Sequence, residues 1–256
     1  MAQERVMVMV DPGSTHEGNL DTMRRMIHVA AECGADVVKF QWTSSRERLC
    51  ERRHAQEYLE AYRRIAWPAE WHAALRSACE EAGIEYACTV CLAEDIAVIA
   101  PFVKRFKVAS FEASDVVLLR AFIATGKPII VSTGMAETFV LPIGAKALHC
   151  VSAYPAPMNE LNLGCIREDE FDGFSDHSGN VLTGALAVAA GARIIETHFR
   201  LDDCNPQNPD FPHSLTPAQL REYVANIRFA EQAMGDGIKR CQPSEEAMRK
   251  YRVGEK

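Results

Sequence analysis

Short apolar runs rich in valine and isoleucine alternate with amphipathic stretches along most of this 256-residue chain. This alternation is typical of a parallel β-sheet whose faces are covered by helices. The apolar runs predict eight strands, at residues 6–10, 36–42, 84–90, 106–110, 128–133, 145–152, 173–178 and 193–199. Eight parallel strands in a chain of about 250 residues are typical of a closed (β/α)8 barrel. The sequence therefore predicts the α/β class and a TIM barrel.

Glycine residues close several of the amphipathic stretches between these runs. From Leu20 to Ala31 apolar residues recur at helical spacing, and Gly34 follows them. A glycine readily takes the left-handed conformation that ends a helix. The same pattern predicts further helices at residues 71–82, 115–125, 181–190 and 217–234.

Two connections are too short for a complete helix. Residues 135–144, after the fifth predicted strand, include Pro142 and Gly144, and residues 162–172, after the sixth, leave room for only a short helix. The helices after strands 5 and 6 are therefore predicted to be shortened or missing. Because no linker or repeat divides the chain, we expect one barrel domain over residues 1–240, followed by a C-terminal tail at 241–256.

The net charge and the cysteines argue against several classes of partner and location. A net charge of −7 offers no basic field to nucleic acid, so we expect no nucleic-acid partner. The nine cysteines are odd in number and irregularly spaced, which indicates reduced thiols and a cytoplasmic location. No apolar run approaches the length of about 18 residues that a membrane span needs, so no membrane association is expected.

Polar side chains follow or close most of the predicted strands. In a TIM barrel the active site lies at the C-terminal ends of the strands, where these side chains would meet. The candidates from strand position are Asp11, His16, Lys39, Gln41, Thr89, Lys107, Ser110, Ser132, Thr133, Ser152, Tyr154, Ser175, His177, Glu196 and His198.

Two of these candidates are lysines within apolar runs. Lys39 and Lys107 would each bury an ammonium group, which is costly unless an anion lies nearby. A phosphate or carboxylate ligand would supply that anion. The alternative is a lysine that reaches the barrel rim or pairs with a carboxylate of the protein. Two lysines directed into one barrel mouth favour the anionic ligand.

Two histidines close adjacent strands. His177 and His198 would lie side by side at the mouth, where neutral ring nitrogens could bind a divalent cation. The alternative is that each is an ordinary polar side chain without a metal.

Six segments in order resemble the sialic acid synthases and their spore-coat polysaccharide relatives. They read GSTHEGNLDTMRRMIHVAAECGADVVKFQ, FKVAS, GKPIIVSTGMA, LHCVSAYPAP, GFSDHSGN and GARIIETHF. The resemblance implies a TIM-barrel transferase that condenses phosphoenolpyruvate with an aldose, typically N-acetylmannosamine, to give a 2-keto acid sugar and phosphate. It also implies a divalent metal, Mn²⁺ or Mg²⁺, and a homodimer.

The resemblance assigns roles position by position. His177 and His198 become the metal ligands, and Glu196 stands near the metal. The residues that would hold phosphoenolpyruvate are Lys39, Thr89, Lys107, Ser110, Ser132, Ser152 and Ser175. Those that would face the acceptor are Gln41, Tyr154 and Asp210.

Three departures from the family pattern concern the base, the phosphate region and the acceptor. Asp11, in VDPGSTH, stands where the family has a catalytic glutamate, one methylene longer. Phe111 stands where the family commonly has glycine, which predicts extra bulk near the phosphate. The chain ends at Lys256, so the family's small antifreeze-like domain, which contacts the acceptor, is expected to be absent. The acceptor therefore stays open as a sugar or sugar-nucleoside aldehyde.

Two alternatives follow from the departures. Asp11 and Phe111 are compatible with an aldolase or lyase that acts on pyruvate-like substrates without phosphate loss. The expected absence of the small domain and the shortened helices are compatible with a catalytically silent barrel subunit. Against the silent subunit stands the retention of two lysines, two histidines and several hydroxyls at one mouth.

Overall fold

A computed structural model describes residues 5–168 and 170–254 of the chain. Eight parallel strands pair in sequence order and close into a barrel, with β8 paired to β1. The strands are β1 (Met7–Asp11), β2 (Val37–Trp42), β3 (Glu85–Val90), β4 (Phe106–Val108), β5 (Ile129–Ser132), β6 (Lys146–Cys150), β7 (Gly173–Asp176) and β8 (Ile194–His198). The predicted TIM barrel is confirmed.

Three strands end two residues earlier than the apolar pattern predicts. β4 makes its last pairing at Val108, and Ser110 begins a 3-10 turn. β6 makes its last pairing at Cys150, so Ser152 lies beyond the strand. β7 makes its last pairing at Asp176, so Ser178 also lies beyond its strand. The predicted runs continue past these points because their residues stay wholly or partly buried, whereas a strand lasts only as long as its hydrogen-bonded ladder.

Helices cover the outside of the barrel. They are α1 (Leu20–Glu32), α2 (Arg46–Arg52), α3 (Leu59–Arg64), α4 (Trp71–Ala82), α5 (Ile96–Ile99), α6 (Val116–Ile123), α7 (Thr183–Ala190) and α8 (Pro217–Met234). All five helices predicted from the sequence are present, with ends within two residues. The sequence pattern did not reveal α2, α3 and α5, because pieces this short contain too few turns to show a helical period.

The side of the barrel next to β5 and β6 carries little helix, as predicted. The described stretch at 133–145, between the two strands, contains no helix. After β6 the chain forms two short 3-10 segments, Met158–Glu160 and Leu163–Glu168.

An apolar plug fills one half of the barrel interior, and it fixes which side chains can form a site. It consists of Met9, Val37, Ala87, Ile130, Leu148 and Ile194. Successive side chains of a strand point to opposite faces, so the residue two positions later shares the interior with each plug residue. On five strands that residue is polar: Asp11, Lys39, Thr89, Ser132 and Glu196. The alternation thus places polar groups directly above an apolar floor.

His72 gives the fold a measurable pH dependence. Its ring is fully buried on α4, with Nδ1 2.7 Å from the Tyr86 hydroxyl. Burial lowers the pKa of His72 from 6.5 to about 4. Between these values the unfolded chain binds a proton that the folded chain does not, so stability is full above pH 6.5 and falls as the pH drops towards 4.

We therefore expect His72→Phe to lose less stability than the wild type on acidification. Urea unfolding at neutral and acidic pH measures this, and the two free energies of unfolding should converge by a few kcal/mol as the pH falls. His28→Gln, at an exposed position of α1, is the matched control and should follow the wild-type profile. Parallel profiles for His72→Phe and the wild type would contradict the assignment.

Candidate active site

The polar side chains predicted at the strand ends meet at the C-terminal mouth of the barrel. The pairing register sets Asp11 level with His198, and Ser175 level with Glu196. On the other side of the barrel, Thr89 pairs with both Gln41 and Lys107. Barrel closure therefore brings together residues from both ends of the chain.

Four buried charges form the centre of the site. Lys39 Nζ lies 2.5 Å from Asp11 Oδ2 and 3.1 Å from Glu196 Oε1, and Lys107 Nζ lies 3.2 Å from Glu196 Oε2. All four side chains are at most 5% exposed. Two ammonium groups and two carboxylates balance to zero net charge. The anions next to the buried lysines are thus carboxylates of the protein itself, the pairing that the sequence left open as an alternative.

The surroundings do not stabilise the charged forms of these four groups equally. Burial alone would raise the pKa of Glu196, but the charges of Lys107 and Lys39 outweigh it and hold that pKa far below its usual range. The pKa of Asp11 is likewise lowered, since Lys39 outweighs the effect of burial. Burial lowers the pKa of Lys107, and Glu196 does not offset this fully because Lys39 repels the second ammonium. Of the two lysines, Lys107 is therefore the one whose charged form its surroundings stabilise less.

Hydroxyl groups surround Lys107 and the interior next to it. Lys107 Nζ donates to Ser132 Oγ at 2.7 Å, and the hydroxyls of Ser110 and Ser152 lie 2.8 Å apart. Thr89 is fully buried, and its hydroxyl has no hydrogen-bond partner among the described residues. An ammonium beside several hydroxyls, one of them unpaired, is a suitable receptor for phosphate oxygens.

Ser175 and Glu196 form a fixed pair below the histidines. The Ser175 hydroxyl donates to Glu196 Oε2 at 2.6 Å. Glu196 thereby has one oxygen held by Ser175 and Lys107 and the other facing Lys39. Contacts from three strands therefore fix the position of this side chain.

The rim of the mouth is formed by Gln41 and Tyr154. Gln41 is exposed, and its Nε2 donates to Asp11 Oδ2 at 2.9 Å. The Tyr154 ring is 42% exposed and lies 4.5 Å from the His177 ring. Both side chains reach solvent, and each contacts a buried residue of the site.

His177 and His198 lie side by side as predicted, with ring centroids 5.5 Å apart. His177 Nδ1 lies 2.7 Å from the carbonyl oxygen of Val151, and because a carbonyl can only accept, Nδ1 carries the proton and Nε2 keeps its lone pair. Burial and the neighbouring His198 lower the pKa of His177 to about 3, so the ring is neutral at pH 7. His198 Nδ1 is buried without a hydrogen-bond partner among the described residues. Two adjacent imidazole rings with available nitrogens fit a divalent cation.

Asp210 and His213, on the loop after β8, complete this corner. Asp210 Oδ2 accepts hydrogen bonds from the backbone and hydroxyl of Ser14. One ligand atom each from His198, Asp210 and His213 lies within 4.8 Å of the others. Asp210 was predicted from the sequence, but His213 was not. The sequence signal that could have identified His213 is its position in the loop after the last strand.

Phe111 does not lie where the sequence led us to expect bulk. Its side chain is 54% exposed, and its ring centroid lies 4.9 Å from the guanidinium carbon of Arg53. The ring is turned to solvent and Arg53, which gives no support for crowding of the buried hydroxyls.

Comparison with known proteins identifies the family. A family model described as the NeuB family matches residues 26–239. The chain belongs to the NeuB family. The N,N'-diacetyllegionaminic acid synthase of Campylobacter jejuni is 31% identical to this NeuB-family chain, over 95% of the chain and 81% of the relative. The human N-acetylneuraminate-9-phosphate synthase is 30% identical, over 96% of the chain and 76% of the relative.

The solved structures agree with this NeuB assignment. The N-acetylneuraminic acid (sialic acid) synthetase of Leptospira borgpetersenii, in complex with citrate, superposes with a TM-score of 0.88 at 28% identity, over 97% of this chain and 92% of that one. A truncated 3-deoxy-D-arabino-heptulosonate 7-phosphate synthase of Thermotoga maritima, at 15% identity and a TM-score of 0.68, shares the fold. The resemblance seen in the sequence is confirmed. The NeuB chain is an enzyme of the sialic acid synthase type, not a silent barrel subunit.

One further finding concerns membranes. Within residues 5–168 and 170–254, no helix is long and apolar enough to cross a bilayer.

Proposed function

We propose that this NeuB-family enzyme condenses phosphoenolpyruvate with an aldehyde acceptor, a sugar or a sugar-nucleoside aldehyde, and releases inorganic phosphate. The observation that carries the proposal is the pair of buried ammonium groups at one mouth, Lys39 and Lys107, with Ser132 Oγ 2.7 Å from Lys107 Nζ and the Thr89 hydroxyl unpaired among the described residues. A phosphate ester at this place would pair with Lys107 and satisfy the free hydroxyl of Thr89. The named relatives, synthases of neuraminic and legionaminic acids, support a condensation of this type.

The reaction balances with the groups at this mouth. The enol carbon forms a bond to the aldehyde carbon, whose oxygen takes a proton. Water adds at the former enol ether carbon, the bond from that carbon to the phosphate oxygen breaks, and phosphate leaves. The added oxygen becomes the keto oxygen, and its two protons end on the aldehyde oxygen and on the departing phosphate. Lys39 and Lys107 stabilise the negative charge of phosphoenolpyruvate. Asp11, ionised at neutral pH because of Lys39, is placed to accept a hydrogen bond or a proton from the acceptor or the water.

A divalent cation, Mn²⁺ or Mg²⁺, is part of the proposal. His177 and His198 would hold it, through the ring nitrogens that the fold leaves available. When bound, the cation would polarise the acceptor's carbonyl oxygen. Glu196, fixed by Lys39, Lys107 and Ser175, contributes negative charge nearby.

The acceptor would enter over the rim, where Gln41 and Tyr154 are exposed. Asp210, half-buried next to His213 on the loop after β8, is the third residue assigned to this side. All of the assigned residues lie within the proposed barrel domain, residues 1–240.

Phosphate release from phosphoenolpyruvate tests the proposed function. We expect release with Mn²⁺ and one member of a panel of aldoses, N-acyl hexosamines and nucleoside aldehydes, together with an adduct of the corresponding mass. Calorimetry with phosphoenolpyruvate and with pyruvate is the companion measurement. Binding of pyruvate alone, with no phosphate release, would replace the synthase with the aldolase or lyase alternative.

We also propose a cytoplasmic homodimer. The nine cysteines, all within the described residues, form no disulfide there, which fits a reducing compartment. The connection between β5 and β6 exposes Val140 and Ile143 almost completely, at the place where the barrel carries no helix. A second copy covering these side chains would remove them from water.

Light scattering measures the assembly. We expect the mass of two chains for the wild type and of one chain after Val140→Glu with Ile143→Glu. Val253→Glu, at an equally exposed valine of the tail, is the control and should stay dimeric. A wild-type mass of one chain would remove the dimer from the proposal.

A further inference from the structure

His213 is a buried side chain without a role in the site as described so far. It is fully buried on the loop after β8, and neither ring nitrogen has a hydrogen-bond partner among the described residues. Its Nε2 lies 3.6 Å from Asp210 Oδ1, beyond hydrogen-bond distance. Leaving a buried polar group unpaired destabilises the fold, so a native protein seldom keeps one without a use.

A second histidine next to His213 also has a ring nitrogen without a hydrogen-bond partner. The rings of His198 and His213 lie 4.7 Å apart, and His198 Nδ1 is also unpaired within the described part of the chain. Ligand atoms of His198, Asp210 and His213 lie within 4.8 Å of one another. Adjacent donors on one first-row cation are about 3.0–3.4 Å apart when the bond length is about 2.1 Å. Side-chain rotations that move each ligand atom by about 1 Å would therefore bring all three onto one ion.

The loop after β1 holds Asp210 and His198 in place. Ser14 donates to Asp210 Oδ2 through its backbone nitrogen at 2.6 Å and its hydroxyl at 2.7 Å, which leaves Oδ1 directed at His213. Gly13 has φ of 55°, and a Cβ at that position would lie 2.3 Å from Asp210 Oδ2 and 3.1 Å from His198 Nδ1. Only glycine lets the loop after β1 close so tightly over these two side chains.

We propose that His213 is a third imidazole ligand of the divalent cation, acting with His198 and Asp210, and that it makes this site prefer later first-row transition metals to Mg²⁺. The inference rests on the cation of the proposed function, because His198 belongs both to the pair with His177 and to the group with Asp210 and His213. Each imidazole added to a site favours Co²⁺ or Zn²⁺, which bind nitrogen well. Mg²⁺ gains little, since it prefers oxygen ligands and retains water.

Metal binding by the full, metal-free chain tests this without any substrate. Calorimetry with CoCl₂ and MgCl₂ gives the affinities, and the visible absorption of bound Co²⁺ reports the number and kind of its ligands. We expect the wild type to bind Co²⁺ more tightly than Mg²⁺. We expect His213→Gln to weaken Co²⁺ binding on the order of 10- to 100-fold and to change the Co²⁺ spectrum, with little change for Mg²⁺. Asp210→Asn is the second variant, and His28→Gln is the control.

The outcomes separate this inference from the proposed function. Wild-type Co²⁺ affinity and spectrum in both His213→Gln and Asp210→Asn would overturn the third ligand, and losses in His177→Ala and His198→Ala would then leave the two-histidine site standing. Equal wild-type affinities for Co²⁺ and Mg²⁺ would overturn the preference. Failure of the wild type to bind either cation would remove both the third ligand and the metal of the proposed function. Circular dichroism of each metal-free variant verifies that it is folded.

Discussion

Replacing Glu196 with glutamine is expected to lower the free energy of unfolding by about 3–5 kcal/mol. The side chain is buried and contacts Lys39 at 3.1 Å, Lys107 at 3.2 Å and the Ser175 hydroxyl at 2.6 Å. Glutamine keeps the shape but removes the charge, so two buried ammonium groups would share only Asp11. An uncompensated charge in a buried cluster is far more costly than the loss of an exposed ion pair.

Urea unfolding at pH 7 measures this effect. Glu80→Gln is the matched control, because Glu80 forms an exposed pair with Arg76 on α4 at 2.8 Å, and its loss should cost less than about 1 kcal/mol. A Glu196→Gln variant as stable as Glu80→Gln would show that the four central groups are not all ionised in the folded chain.

Alanine at His198 is expected to reduce metal-stimulated phosphate release on the order of 10²- to 10³-fold. His198 lies between His177, at 5.5 Å between ring centroids, and His213, at 4.7 Å. It is therefore common to both sets of proposed ligands, and its loss would leave no histidine pair in direct contact. His177→Ala should also lose metal-stimulated release.

The control for this experiment is His28→Ala, at an exposed position on α1 away from the mouth. Phosphate release is followed with Mn²⁺ and with a chelator, for the acceptor that the panel identifies. Unchanged turnover in both His177→Ala and His198→Ala would remove the metal assignment, whatever the reaction proves to be.

The strands and the direction of their side chains were predictable because both follow from local periodicity. On β8, Ile194, Glu196 and His198 alternate with residues that face the helices. Because Ile194 lies in the barrel interior, the side chains of Glu196 and His198 face the interior as well. The short helices α2, α3 and α5 escaped prediction because one or two turns do not establish a period. The ends of β4, β6 and β7 were misjudged because full or partial burial continues beyond the hydrogen-bonded ladder, at Ser110, Ser152 and Ser178.

The sequence by itself determined the eight strands, the missing helix between β5 and β6, and the polar groups that face the interior, since each is a property of neighbouring residues. Only the tertiary structure decided how these groups pair. Closure of β1 against β8 brings Asp11 beside His198, and Lys39 then lies between Asp11 and Glu196 from opposite ends of the chain. The path of the loop after β8 brings His213 against His198. Contacts between distant segments depend on barrel closure and loop packing, which no local pattern encodes.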